Sequence, residues 1–110
     1  MHIHDLNLDP PTALQLLEQG QTWLIDVREP HEVARAAYDH ARVVCLPLSQ
    51  LERRHAELPR DADLVMACAA GGRSQQAMQY LLHQGHQRVR NLAGGMGAWR
   101  THGLPVKLGE

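Results

Sequence analysis

A cysteine stands at the head of a run of very small residues in the stretch CAAGGRS, which extends from Cys68 to Ser74. The apolar run LVMA precedes this stretch and the amphipathic run QQAMQYLL follows it. A thiol between a strand and a helix meets the positive end of the helix, the backbone N–H groups of the loop and the guanidinium of Arg73. Each of these groups favours the thiolate over the thiol. Cys68 is therefore predicted to be a nucleophile.

The residues after the cysteine are suited to binding an anion. They carry almost no side-chain bulk, and glycine tolerates positive φ, so successive N–H groups can turn inward. Ser74 is predicted to cap the helix or to hydrogen-bond the sulfur, and Arg73 to hold the anion if its guanidinium turns inward. The predicted site comprises the catalytic residues Cys68 and Arg73 and the anion-binding loop residues Ala69, Ala70, Gly71, Gly72 and Ser74.

The elements around this loop alternate between strands and helices. Short apolar runs predict strands, and apolar residues at helical spacing between Pro, Asp, Ser and Gly signals predict helices. In particular, Ser49 and Glu52 form an S-x-x-E pattern that predicts a capping box at a helix start. Predicted strands are residues 23–27, 43–46, 64–67 and 88–92, and predicted helices are residues 9–20, 30–35, 49–57, 73–84 and 96–102.

This alternation is typical of an α/β fold, with a mainly parallel sheet of about five strands and helices on both faces. Ligands of such sheets bind beyond the carboxyl ends of the strands, which is where the loop is expected. The length of 110 residues predicts one domain over residues 1–110, with a core at about 9–106 and loose ends at 1 to about 8 and 107–110. Trp23 and Trp99 are expected in the core, and Gly94 and Gly95 at a tight turn or close backbone approach.

Composition excludes several classes of function. The net charge is -1 and the 11 basic residues are scattered, which disfavours a nucleic-acid or anionic-membrane surface. No apolar run approaches the ~20 residues of a membrane helix, and the first residues lack the pattern of a signal peptide, so we expect a cytoplasmic protein. No histidine pairs with a cysteine at the spacing of a zinc finger and CxxC is absent, so no metal is expected.

The loop resembles the Cys-x-x-Gly-x-Arg-Ser active-site loop of single-domain rhodaneses. Three further segments are similar to that family and follow its order: LIDVREPHE at 24–32, LPLSQL at 46–51 and NLAGGMGAWRTHGLPV at 91–106. The resemblance covers most of the chain and implies a rhodanese fold and a thiosulfate:cyanide sulfurtransferase activity. It implies that Cys68 takes sulfur from thiosulfate or a persulfide as its own persulfide and passes it to cyanide or a thiol, without cofactor. A protein could also accept the sulfur.

Two departures from the family pattern bear on the substrates. The segment 36–43 lacks the usual Gly-His-x-x-Gly-Ala stretch and carries Tyr38, Asp39 and His40 instead, so its role stays open. Ala69 and Ala70 stand where some relatives have a second cation. Fewer cations weaken the capture of a dianion such as thiosulfate, so a persulfide is hypothesised to be the better donor.

Other readings of these residues remain. The protein could be a noncatalytic rhodanese-like module that carries sulfur or binds a partner, or a plain redox thiol protein. It could also be an arsenate reductase or phosphatase, although those loops resemble Cys-x5-Arg and are one residue longer. Cys45 is expected to be buried in its strand, with a resolving thiol as the alternative. The polar residues at the end of the first predicted strand are expected to form a structural ion pair or hydrogen-bond set: Asp26, Arg28 and Glu29.

Overall fold

The computed structural model describes residues 6–109, and its centre is a parallel β-sheet. The strands of this part of the chain are β1 (Asn7–Leu8), β2 (Thr22–Asp26), β3 (Ala36–Tyr38), β4 (Val43–Cys45), β5 (Asp63–Ala67), β6 (Val89–Leu92) and β7 (Val106–Leu108). Five of them pair in parallel in the order β1-β6-β5-β2-β4, so β5 is the middle strand. The predicted parallel sheet of about five strands is confirmed.

Helices cover both faces of this sheet, as predicted. They are α1 (Pro10–Glu18), α2 (Pro30–Arg35), α3 (Leu48–Arg54), α4 (Gly72–His83) and α5 (Gly95–Thr101), and a short 3-10 helix follows α3 at His55–Glu57. Because alternate residues of a strand face opposite sides of the sheet, a strand contributes side chains to two hydrophobic cores. Ile25 and Met66 pack with α3 and α4, whereas Leu24 and Val65 pack with α1 and α5.

The start of α3 differs from its prediction. The helix begins at Leu48 without a side-chain cap, and Ser49 lies inside it, so the predicted capping box is wrong. The Leu48 N–H donates to the Val27 carbonyl at 2.9 Å, and the Ser49 hydroxyl donates to Glu29 Oε1 at 3.0 Å. These long-range bonds replace the local cap, and the helix begins at Leu48 instead of at the predicted residue 49.

Both predicted loose ends contain strands within the described residues. Asn7 and Leu8 pair with Asn91 and Leu92 as the edge strand β1, and β7 pairs antiparallel with β3 in a separate two-stranded sheet. The looseness predicted for these residues is wrong, because distant partners hold them; residues 1–5 and 110 lie outside the described part. The β3–β7 pair also includes residues 36–38 of the segment 36–43, whose role the sequence left undetermined.

The longest helix of the described residues, α4, has 12 residues. Among residues 6–109, no helix is both long enough and apolar enough to cross a bilayer.

Candidate active site

The CAAGGRS loop lies where the sequence predicted, at the carboxyl end of the middle strand. β5 ends at Ala67 and α4 begins at Gly72, so the loop turns between them within a few residues. Gly71 makes this turn with φ of 105°, a left-handed conformation that favours glycine, and its Cα faces the Gly94 N–H so closely that a Cβ would lie 3.3 Å from that nitrogen. The close packing of two loops therefore sets the position of the cysteine.

The sulfur of Cys68 accepts several hydrogen bonds. The Gly71 N–H donates to Sγ at 3.0 Å and the Ser74 N–H at 3.4 Å, and the Ser74 hydroxyl lies 3.3 Å from Sγ. The residue is only 1% exposed, and burial alone raises the pKa of the thiol. The hydrogen bonds from Ser74, Gly71 and Ala70 outweigh that effect, and the pKa of Cys68 lies below its ordinary value. The loop thus stabilises a thiolate.

The carbonyl side of the same residue is anchored by α5 and by Tyr38. The Cys68 carbonyl accepts from the Met96 N–H at 2.9 Å and from the Tyr38 hydroxyl at 2.7 Å, and the Ala69 carbonyl accepts from the N–H of the next helical residue, Gly97, at 3.1 Å. Gly95 allows this approach, because a Cβ there would overlap the Cys68 carbonyl oxygen and lie 2.7 Å from the Ala69 carbonyl carbon. The close backbone approach predicted at Gly95 is confirmed.

Arg73 is bound to a carboxylate that the sequence analysis did not single out. Its two terminal nitrogens donate to Glu32 at 2.8 and 2.7 Å in a bidentate pair, so the guanidinium is turned toward α2. The Glu29 N–H donates to the same carboxylate at 2.9 Å. The hydrogen bonds from Arg73 lower the pKa of Glu32 to about 2, in spite of partial burial. Because 41 residues separate the two partners, no local pattern in the sequence indicates this pair.

The polar residues at the end of β2 and just after it have the structural role that was predicted for them. Arg28 and Asp26 form a buried ion pair at 2.8 Å, and the same guanidinium donates to the Ala36 carbonyl at 2.8 Å. Glu29 holds α3 through the Ser49 hydroxyl. These contacts fix α2 and β3 beside the end of the sheet, and thereby place Glu32 and Tyr38.

Cys45 does not have the predicted environment. It is exposed at the end of the edge strand β4, because no strand covers the outer side of β4 among the described residues. Although the residue is exposed, neighbouring atoms partly desolvate its thiol, and this desolvation and the nearby Asp26 raise the pKa of Cys45. It lines a cavity of about 480 Å³ between α2 and α3.

The register of the sheet separates the two cysteines. Asp26 pairs with Cys45 on one side and with Ala67 on the other, so Cys45 lies two strand spacings, about 10 Å, from Ala67. Cys68 packs in the core on the α3 and α4 side of the sheet, whereas Ala67, which is in register with Cys45 through Asp26, packs in the other core. A direct attack by Cys45 on a sulfur carried by Cys68 is therefore disfavoured.

Among residues 6–109, no cluster of three or more His, Cys, Asp or Glu side chains has the arrangement to hold a metal ion. The chemistry that the loop offers is that of a hydrogen-bonded thiolate.

Comparison with known sequences agrees with the resemblance noted above. The family model of the Rhodanese-like domain matches residues 9–102. A protein of Allochromatium vinosum named Sulfurtransferase is 41% identical over 96 residues, which are 87% of this chain and 88% of that protein. A Vibrio cholerae protein named Thiosulfate sulfurtransferase GlpE is 32% identical over 104 residues, covering 94% and 96% of the two chains.

Solved structures show the same architecture. The rhodanese-related protein of Thermoplasma volcanium superposes with a TM-score of 0.82 at 27% identity, covering 93% of this chain and 97% of the other. The polysulfide-sulfur transferase homodimer of Wolinella succinogenes gives a TM-score of 0.82 at 29% identity, covering 93% of this chain and 77% of the other.

Proposed function

The chain belongs to the rhodanese-like domain family, and from that membership we propose that it is a sulfurtransferase that carries sulfur as a persulfide on Cys68. The observation that supports this most is the set of donors from Gly71 and Ser74 on the sulfur of a buried cysteine. A structural cysteine in a core has no need of such donors, whereas a nucleophile needs its thiolate stabilised.

In the first step, the Cys68 thiolate attacks the outer sulfur of the donor. With thiosulfate, a bond forms between Sγ and that sulfur, and the old S–S bond breaks with its electron pair leaving on sulfite. With a persulfide donor the leaving group is a thiolate. The product is an anionic Cys68 persulfide, and the N–H groups that now bind Sγ are proposed to stabilise its charge.

In the second step, the acceptor attacks the outer sulfur of the persulfide. Cyanide takes this sulfur and becomes thiocyanate, whereas a thiol takes it and becomes a new persulfide. The electron pair of the broken S–S bond stays with Cys68, which is thereby restored as a thiolate. Splitting the transfer into two displacements is covalent catalysis, and no redox cofactor is required for the balance of electrons. A protein thiol is one acceptor that this chemistry allows.

Arg73 stays in the proposed site as the cation at the start of α4, next to Ser74. Glu32 engages both of its terminal nitrogens, so much of its charge is offset. Ala69 and Ala70 supply no other cation from the loop. We therefore infer that a monoanionic persulfide is a better donor than the thiosulfate dianion, which needs more positive charge for its capture.

The experiment that tests this function measures thiocyanate release above the rate without protein, from thiosulfate and from cysteine persulfide, a monoanion, with cyanide as acceptor. Cys68→Ser is expected to abolish release, and Cys45→Ser, the matched control, is expected to retain it. A higher kcat/KM for the persulfide supports the donor preference. Release that survives Cys68→Ser, or no release by the wild type with either donor, would show that the proposed function is wrong.

A further inference from the structure

Tyr38 reaches the loop from a part of the fold that the proposed sulfur transfer does not use. It ends β3, where it pairs with Val106 of β7 outside the main sheet. Its side chain is buried, and its hydroxyl donates to the Cys68 carbonyl at 2.7 Å. The two-stranded β3–β7 sheet is thus hydrogen-bonded directly to the residue that carries the thiol.

The ring of Tyr38 is fixed by its neighbours. Trp99 meets it edge to face, with ring centroids 5.1 Å apart, and the Arg28 guanidinium lies 5.3 Å from its centroid. Trp99 is itself held by a hydrogen bond from its indole N–H to the Pro105 carbonyl at 2.8 Å. A ring held in this way has little freedom to rotate, so the position of its hydroxyl is determined by packing.

The hydrogen bond from Tyr38 acts on the peptide group that begins the loop. The Cys68 carbonyl also accepts from the Met96 N–H at 2.9 Å, so two donors hold its direction. On the other side of the residue, Sγ accepts from Gly71 and Ser74. An anchored carbonyl keeps the following N–H groups turned toward the sulfur, and its donors offset the partial negative charge of its oxygen near a developing thiolate.

We propose that Tyr38 is a positioning residue, whose hydroxyl holds the Cys68 carbonyl and so keeps the N–H groups of the loop on the sulfur. Burial raises the pKa of Tyr38 well above its ordinary value, so the phenol stays protonated and remains a donor at neutral pH. The proposal rests on the proposed role of Cys68 as the nucleophile, but its main readout, the thiol pKa, does not require sulfur transfer.

The test measures the pKa of Cys68 from the pH dependence of its alkylation, in a Cys45→Ser background so that Cys68 is the thiol observed. Tyr38→Phe is expected to raise this pKa by about half a unit to one unit, the scale of weakened hydrogen bonds to a charged sulfur. Replacement of Tyr38 by 4-aminophenylalanine keeps the ring and a weaker donor, and is expected to give an intermediate pKa. Tyr80→Phe is the matched control, since Tyr80 packs edge to face against His55 and lines a pocket with residues of α3, and it is expected to leave the pKa unchanged.

The outcomes separate a positioning role from a structural one. A thiol pKa that is unchanged in Tyr38→Phe, even with a lower melting temperature, would overturn the proposal. If Tyr38→Phe does not fold, an unchanged pKa in the 4-aminophenylalanine variant would overturn it equally. A raised pKa in a protein that transfers no sulfur would uphold the positioning role and refute the proposed function instead.

Discussion

Removal of the Ser74 hydroxyl is the sharpest perturbation of the proposed thiolate. That hydroxyl has one proton and two neighbours, the Gly71 carbonyl at 3.2 Å and the Cys68 sulfur at 3.3 Å. When the sulfur is ionised, the proton turns to it and leaves the carbonyl. A hydrogen bond to a charged group contributes about 1.5–3 kcal/mol, and the neutral bond given up about 0.5–1.5 kcal/mol, so the net stabilisation of the thiolate is about 1–1.5 kcal/mol. Ser74→Ala is therefore expected to raise the pKa of Cys68 by about one unit.

This shift has a characteristic effect on the reaction rate. Below the pKa, the variant has about one tenth of the wild-type thiolate, but a thiolate of higher pKa is intrinsically about threefold more nucleophilic, so the rate falls only about three- to fourfold. Above both pKa values, the variant is expected to react about threefold faster than the wild type. The two pH profiles therefore cross.

The assay follows alkylation of Cys68 across pH by mass spectrometry, again in the Cys45→Ser background. Ser49→Ala is the control, because Ser49 is the other serine of the chain and bonds Glu29 rather than the loop. A rate lowered by the same factor at every pH, without a crossing, would refute the reasoning. It would mean that Ser74 keeps the sulfur of Cys68 accessible and does not stabilise the thiolate.

Three further predictions concern stability. The lowered pKa of Glu32, about 2, means that its pair with Arg73 stabilises the wild type above about pH 4.5 and that this contribution is lost as the pH falls toward 2; Glu32→Gln is expected to remove that part of the acid dependence in urea titrations. Burial lowers the pKa of His86, whose ring nitrogens have no hydrogen-bond partner among residues 6–109, so the urea midpoint should fall as the pH drops below about 6.5, and His86→Leu should flatten that change. Gly95→Ala should lower the free energy of unfolding by more than about 2 kcal/mol in thermal unfolding, a larger loss than for Gly103→Ala, where φ is also positive but no atom of the described residues lies within 4 Å of a Cβ. An equal loss in the two glycine variants would contradict the packing argument.

The sequence was most informative where local signals and tertiary structure agree. Asp9 with two prolines marked the start of α1, and the structure shows the Thr12 N–H bound to the Asp9 carboxylate at 2.9 Å. The apolar run before Cys68 and the helical pattern after Arg73 likewise located the turn between β5 and α4. Each of these elements is specified by residues close together in the chain.

The features that the sequence did not predict depend on residues far apart in the chain. β3 and β7 have three residues each and pair across about 70 positions, so neither has a local pattern that identifies it. The partners of the loop, Glu32 and Tyr38, lie 41 and 30 residues from the groups they bind. Cys45 looked buried because its neighbours are apolar, but its strand is an edge of the sheet, and edge position follows from topology.

In the proposed mechanism, Cys68 carries the transferred sulfur. The most direct test of this role is intact-mass analysis after brief incubation with thiosulfate or a polysulfide, followed by cyanide, for the wild type, Cys68→Ser and Cys45→Ser. We expect a gain of one sulfur atom in the wild type and Cys45→Ser but not in Cys68→Ser, and its removal by cyanide with release of thiocyanate. No gain with either donor, or a gain that persists in Cys68→Ser, would show that Cys68 is not the sulfur carrier.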